Sequence, residues 1–517
     1  MYGNLLTDMD IKSRATELDA IIPGVTAAYL RLRANNGMGI YTSNGKFYNH
    51  TFFGRDAGMA AKFVTAFDHK AAEETIIALV ALQGTEINTK TQEQPGRIHH
   101  ELRDFKTWQG RLGDRFVFWL LRSVWDVRNN QLLSYYSIDT TATFIRLVNK
   151  YVHSVDRSIL DKKVTNHHGE QVTVSEAVAA AAEWIIAQLD EKHHMVSLRS
   201  NAWSIQFQTF QDSSTAYNRT DGSLANFKRG IAFIEAQAYA NGALEDATRI
   251  LEDHPRRHYW QEKAHAMRDA FLADFWDEEA KRFGAAIDAD GLTDMDNISI
   301  GWTLNTSFWD EVPKAQRADL IGAIVKRLFA DDMLTSVGIR TRAISQPQPL
   351  PGIVEYHGSL TVWPMFNFMF IEGLRRHGLL QLAEQLENRL INGINTVREF
   401  DEFFVVESDG VLLRSQKEHP VAHKQAQMIP EKDIAFTVVP ALTLAHRAQY
   451  EKKPKKLTGK TWQQKLEADI LKQIPLVERI EPEMAHEHVG EIRATKFHRF
   501  NANLQSIWYT WRQSRKM

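Results

Sequence analysis

The residues best suited to chemistry lie between Asn201 and Gly222, NAWSIQFQTFQDSSTAYNRTDG, where Asp212 follows Trp203, Phe207 and Phe210 and stands beside Gln208 and Gln211. Aromatic faces match the apolar faces of a sugar ring, and amides match its hydroxyls. A carboxyl held among rings has its ionised form disfavoured, so it can keep a proton near neutral pH, as a general acid must. The same pattern also fits a surface loop over buried aromatics whose Asp caps the next segment.

The elements that would hold such a residue are helices. Apolar periodicity predicts them over roughly 13–34, 57–82, 114–127, 139–154, 174–191, 226–252, 256–276, 296–309, 313–330, 359–376, 379–396 and 433–449. Thr173 and Glu176 form a capping box ahead of Val174, Val178, Ala181 and Ile185. Pro255 and Pro313 suit first-turn positions, where a missing N–H costs nothing, and Gly378 suits a helix end. Between the helices run loops of uneven size at 52–56, 94–103, 201–222 and 345–364, which hold the unusual residues, and long loops within a helical domain usually serve a site. Helices alternating with such loops predict an all-α fold of paired helices closed into a toroid. No sequence self-similarity at a fixed period supports a solenoid.

Composition narrows the classes. A net charge of -2 gives no long-range field to recruit nucleic acid or an anionic membrane, and Cys 0 excludes a thiol nucleophile, a disulfide framework and a cysteine metal site. The acids in MYGNLLTDMDIKSRATELDA do not suit an export signal, and no apolar run reaches the ~18 residues of a membrane span. A cytoplasmic enzyme without cofactor or metal is the expectation. Nothing in the sequence sets an oligomeric state. Residues 1–450 read as the toroid. EKKPKKLTGK at 451–460 then reads as a linker, so that 451–517 is a small helical extension that packs on the main body.

Five short motifs, spread over roughly 30–450, resemble in order those of the six-fold α/α toroid glycosidases, the group of glucoamylases, trehalases and the amylo-1,6-glucosidase part of glycogen debranching enzymes. They are FFGRDAGM at 52–59, GRIHHELR at 96–103, YYSIDTTATFI at 135–145, QTFQDSS at 208–214 and YHGSLTVWP at 356–364. The resemblance implies an (α/α)6 toroid and an inverting exo-glycosidase acting on α-glucosides such as malto-oligosaccharides or glycogen branches. In such an enzyme one carboxylic acid protonates the glycosidic oxygen, and a carboxylate about 6.5–9.5 Å away activates water.

In the position of the family's acid stands Asp212. IAFTVVPALTLAH at 434–446 resembles the family's closing segment, with Phe436 in the place of its Trp, and family spacing back from it points to Glu418 as the base. Glu431 in MIPEKD and Glu407 are the alternatives; an acid as near a helix start as Glu431 also serves simply as a dipole partner. The family's Ser-Glu-Ile-Phe-Asp-Gly pattern is absent from this chain.

Arg55 and Asp56 could grip adjacent sugar hydroxyls or pair with each other. His100 and Glu101, beside Arg103, could line the same pocket or form a structural network. Trp203 and Gln211, with Tyr356, His357 and Trp363, complete the predicted substrate-binding set, Gly358 leaving room for a ligand. His167–His168 and His193–His194 sit next to acids on expected surfaces, and His486, His488 and Glu491 read as solvated. No G-x-S-x-G surrounds Ser213 and Ser214, and the glycines at 37 and 39 make no phosphate loop. Two other readings keep the pocket: a sugar epimerase or isomerase using His100 and His357, and a glycan-binding protein without a base.

Overall fold

The computed structural model describes residues 11–34, 36–45, 48, 51–104, 119, 122, 126–127, 130–197, 208–213, 215–226, 230–347, 355–413, 430–452, 454, 457–478 and 485–486. Two compact units divide the chain, and each is built from discontinuous pieces. The first comprises Met1–Phe210, Ala236–Ala270 and Glu431–Gln449; the second comprises Gln211–Glu235, Phe271–Pro430 and Tyr450–Met517.

In the first unit, Gly54–Val64 packs on both Thr140–Ser154 and His69–Ala81, and Thr140–Ser154 also packs on Val174–Ala187. Small residues permit the close approach: a Cβ at Gly58 would sit 3.1 Å from the Thr143 methyl. The capping box at Thr173 is present in full, the Thr173 hydroxyl accepting from the Glu176 amide while the Glu176 carboxylate accepts from the Thr173 amide. Phe52–Phe53 pairs antiparallel with Glu101–Asp104, which pairs in turn with Gln131–Ser134.

The predicted helix at 57–82 is two helices. Asp68 ends the first by capping the second, its Oδ1 accepting from the Ala71 amide at 2.8 Å. Gly24, at φ 80°, likewise divides 13–34 into Ala15–Asp19 and Val25–Leu32. Most of the predicted helix at 114–127 lies outside the described residues.

In the second unit, Pro364–Arg376 packs against Leu380–Val397, and the predicted helix at 296–309 is a single turn, Ser299–Trp302, followed by 3-10 turns. Gly378, at φ 76°, ends Pro364–Arg376 as predicted. That helix begins five residues later than the expected 359, because Thr361–Val362 is a strand paired with Phe404–Val405. Pro313 occupies the N-cap of Lys314–Leu328, and Pro255 lies two residues before Arg257–Asp274.

The late helix Trp462–Leu471 packs on Lys314–Leu328 and Leu380–Val397. Its buried Glu467 accepts from the Gln381 and Leu382 amides at 2.7 and 3.3 Å. This satisfies first-turn donors that the N-cap Leu379 side chain leaves unmet. Among the described residues, no helix is long and apolar enough to cross a membrane.

Candidate active site

In the first unit the predicted residues gather at one corner. The Phe52–Phe53 strand runs straight into the helix at Gly54, whose amide donates to the His100 carbonyl at 3.0 Å. Only glycine fits there, since a Cβ would meet the His99 carbonyl at 2.3 Å. Arg55 and Asp56 therefore start the helix beside His100 and the strand that begins at Glu101.

Arg55 is 6% exposed and anchored on several sides. Its Nη1 donates to the Thr209 carbonyl and lies 3.7 Å from Asp139 Oδ2, its Nε lies 3.7 Å from Asp56 Oδ1, and its guanidinium stands 5.0 Å above the Phe210 ring. Glu101 is ion-paired with Arg103. Burial, reinforced by the charge of Arg55, drives the His100 pKa well below the usual imidazole value, so this ring is held neutral. Gln208, which the sequence groups with Asp212, is buried in a network of its own, accepting from Arg97 at 3.0 Å and donating to Gln92 at 3.0 Å. Glu431, 3% exposed, accepts from the Ser43 hydroxyl at 3.0 Å, and a Cβ at Gly45 would overlap its carboxylate.

In the second unit Asp212 is half-buried between two anchored neighbours. Gln211 is fully buried and makes a reciprocal amide pair with Asn297, at 2.6 and 2.7 Å. Ser213 Oγ lies 2.9 Å from His357 Nδ1. Further along, the buried Arg342 guanidinium donates to the Thr215 carbonyl at 3.1 Å and to Asn218 Oδ1 at 2.9 Å, and pairs with Glu355. Burial pushes the Glu355 carboxyl up against the opposing pull of Arg342. Asp212 thus sits on a strip of chain fixed at 211, 213, 215 and 218.

Tyr356 donates to Glu402 at 2.5 Å and meets Trp363 edge-on at 4.8 Å. Trp363 is 2% exposed, stacked 4.8 Å from Phe366 and 5.0 Å from His357, and its indole N–H donates to the Tyr356 carbonyl at 3.0 Å. Its ring backs Tyr356 and His357. Gly358 does not serve to leave ligand space, because a Cβ there would meet Glu355 Cβ at 2.8 Å; the turn itself requires the glycine. Glu407 lies in a turn, its amide donating to the Val411 carbonyl at 2.9 Å. Glu418 and Trp203 lie outside the described residues, as do Phe207 and Ser214.

Sequence reading passed over Arg342, Glu355, Asn297 and Glu402. A signal for Arg342 was present: RTR at 340–342 sets two arginines amid apolar neighbours, and both are at most 1% exposed. Paired arginines in such company need buried acceptors. A second missed cluster is in the first unit, where Glu93 meets His167 and His168 with ligand atoms within 4.8 Å of one another.

No known family profile matches the chain, and no curated protein matches it. Solved structures do resemble it. The GH63 mannosylglycerate hydrolase from Thermus thermophilus, in complex with Tris and D-glycerate, is similar with a TM-score of 0.53 at 15% identity, over 83% of this chain and 99% of that one. The same enzyme with glucose gives 0.53 and 15% over 82% and 98%. GH63 belongs to the six-hairpin α/α toroid glycosidase superfamily, and the fold of this chain is that (α/α)6 toroid, with a small C-terminal helical extension.

Proposed function

We propose that the chain is an inverting, exo-acting glycoside hydrolase with Asp212 as general acid and Glu418 as general base, acting on α-glucosides such as malto-oligosaccharides or glycogen branches. The observation that carries this reading is the setting of Asp212: a half-buried carboxyl whose neighbours Gln211 and Ser213 are pinned by Asn297 and His357. A general acid must be reachable by the leaving oxygen and yet fixed in direction. The five ordered motifs and the likeness to toroid glycosidases support the same chemistry.

In this mechanism Asp212 gives its proton to the glycosidic oxygen as the bond to the anomeric carbon lengthens. A water deprotonated by Glu418 attacks the opposite face, so the product carries the inverted configuration. Asp212 ends as carboxylate and Glu418 as acid, and proton exchange with solvent resets both. The half-buried Tyr356 offers a ring edge for the sugar, supported from behind by Trp363, while the buried His357, 1% exposed, holds Ser213 in place. The isomerase reading, which needs His100 to exchange protons, loses support because burial and Arg55 hold that ring neutral.

The test is a panel of malto-oligosaccharides, isomaltosides, trehalose and mannosylglycerate, with NMR identification of the first-formed anomer. On the substrate that turns over, Asp212→Asn and Glu418→Gln are each expected to lower kcat about 10²–10⁴-fold. Glu431→Gln run beside them separates the two candidate bases. Retention of anomeric configuration, or activity of both main variants within a few-fold of the parent, overturns the assignment.

A further inference from the structure

The turn joining strands Lys163–Thr165 and Gln171–Thr173 carries two consecutive histidines on a fixed frame. Asn166 Oδ1 accepts from the His168 and Glu170 amides at 3.0 and 2.9 Å, Asn166 Nδ2 donates to Glu170 at 3.1 Å, and Gly169 takes φ 86° to close the turn. The His167 amide and its Nδ1 both approach the Ala81 carbonyl, at 2.9 and 3.3 Å. A carbonyl can only accept, so Nδ1 carries the proton and the Nε2 lone pair faces outward in the neutral ring.

What Nε2 faces is Glu93, 7% exposed at its side chain, with Oε1 at 3.4 Å. The Nε2 atom of His168 lies 4.0 Å from the same oxygen. Glu93 is itself oriented: its Oε1 accepts from the Thr85 amide at 3.0 Å, its own amide donates to Thr91 Oγ1 at 3.3 Å, and its carbonyl accepts from Asn88 at 3.1 Å. A backbone carbonyl on the far nitrogen of one imidazole and an amide on the carboxylate are the outer partners that orient metal ligands.

The spacing points the same way. Ligands about 2.0–2.2 Å from a tetrahedral cation are roughly 3.3 Å from one another. The His167–Glu93 separation of 3.4 Å already matches. It is longer than the ~2.7–2.9 Å of a charge-assisted hydrogen bond. Rotation of the exposed His168 ring closes the remaining gap.

We propose that Glu93, His167 and His168 bind one divalent transition-metal cation of the zinc class, with water as the fourth ligand. Two imidazoles and one carboxylate suit such an ion better than magnesium or calcium, which favour all-oxygen shells. The cation would fasten the 163–173 hairpin to the 84–97 loop, which leads directly into the strand bearing Glu101. The far side of that loop is already tied to other segments, by the Trp184 indole donating to Gln94 at 2.7 Å and by Arg97 donating to Gln208 at 3.0 Å. The bond set is one of coordination only, with no covalent or redox step.

The test uses the chelator-stripped full chain titrated with zinc chloride by calorimetry, with cobalt(II) absorption as a second readout of four-coordination. Expected results are uptake of one equivalent, an intense cobalt d–d band, and a rise in melting temperature on adding zinc. The His167→Ala/His168→Ala double variant, altered only at exposed side chains, should fold like the parent, bind zinc at least tenfold more weakly and lose both the band and the thermal shift. Magnesium should produce none of these effects. Absence of zinc uptake by the parent leaves Glu93 and His167 as an ion pair only and overturns the proposal. Undiminished uptake by the double variant overturns it equally, by placing the metal elsewhere.

Discussion

The Arg55 corner of the first unit and the Asp212 strip of the second both bring polar side chains together, yet they use them differently. At Arg55 the charges are buried and answer one another: Asp56 and Asp139 lie 3.7 Å from the guanidinium, and Thr209 and Phe210 take its remaining faces. At Asp212 the carboxyl is half-exposed, and its immediate neighbours are held by neutral partners, Gln211 by Asn297 and Ser213 by His357, with the buried Arg342 holding the strip further on at Thr215 and Asn218. A charge buried in its own ion pairs holds a fold. A half-exposed charge between locked neighbours can be aimed at a ligand.

That contrast requires that removing a buried, paired charge cost stability. The largest effect is expected at Arg342, where Arg342→Met strands Glu355 in the interior and should destabilise by about 3–5 kcal/mol in chemical denaturation. The loss should shrink at low pH, because burial has already raised the Glu355 pKa and the stranded acid can take up a proton. Adding Glu355→Leu should recover part of the loss. A cost for the single variant below about 1 kcal/mol would break the distinction between the two kinds of charge.

A comparable effect, confined to acid, comes from the buried imidazoles of the first unit. Burial, aided by the charge of His167, lowers the His99 pKa to about 3 from 6.5. The unfolded chain then binds a proton that the folded chain refuses between those values. Stability is therefore fully present above pH 6.5, falls by about 1.4 kcal/mol per unit as the pH drops, and levels off below about 3. His99→Gln should reduce that slope by close to one proton, measured as denaturation midpoint against pH; an unchanged slope would locate the acid sensitivity elsewhere.

Thr173→Ala removes the capping box and should cost about 1 kcal/mol. Smallest of all, Asp212→Asn should change stability by no more than about 0.5 kcal/mol, as expected for a half-exposed side chain with a role in chemistry. A melting temperature lowered as much as by Arg342→Met would make Asp212 a structural acid.

Much of the fold was legible because helix ends are local. Thr173 with Glu176 and Gly378 acted where the sequence placed them, since each satisfies its own backbone donors or acceptors. The breaks within 57–82 and 13–34 were harder to read, because apolar spacing continues across Asp68 and Gly24 while the chain turns. Of the aromatic and amide company that draws attention to Asp212 in the sequence, Gln211 stands bonded beside it and Gln208 is buried in a network of its own. The supports of Asp212 were not legible, because Asn297, Arg342 and His357 reach its strip from 85 or more positions away in sequence, and periodicity carries no information about such pairs. Trp363 read as a stacking face because an aromatic at a helix start looks the same whether its ring meets a ligand or, as here, Phe366.

The central claim, that Asp212 delivers a proton to a leaving oxygen, is tested most directly by comparing two leaving groups. Fluoride departs without protonation, whereas a sugar alkoxide does not. Asp212→Ala should lose about 10²–10⁴-fold in kcat/KM on an α-linked oligosaccharide, but no more than about tenfold on the corresponding α-glycosyl fluoride. Equal losses on both substrates, or no loss on the oligosaccharide, would contradict the claim.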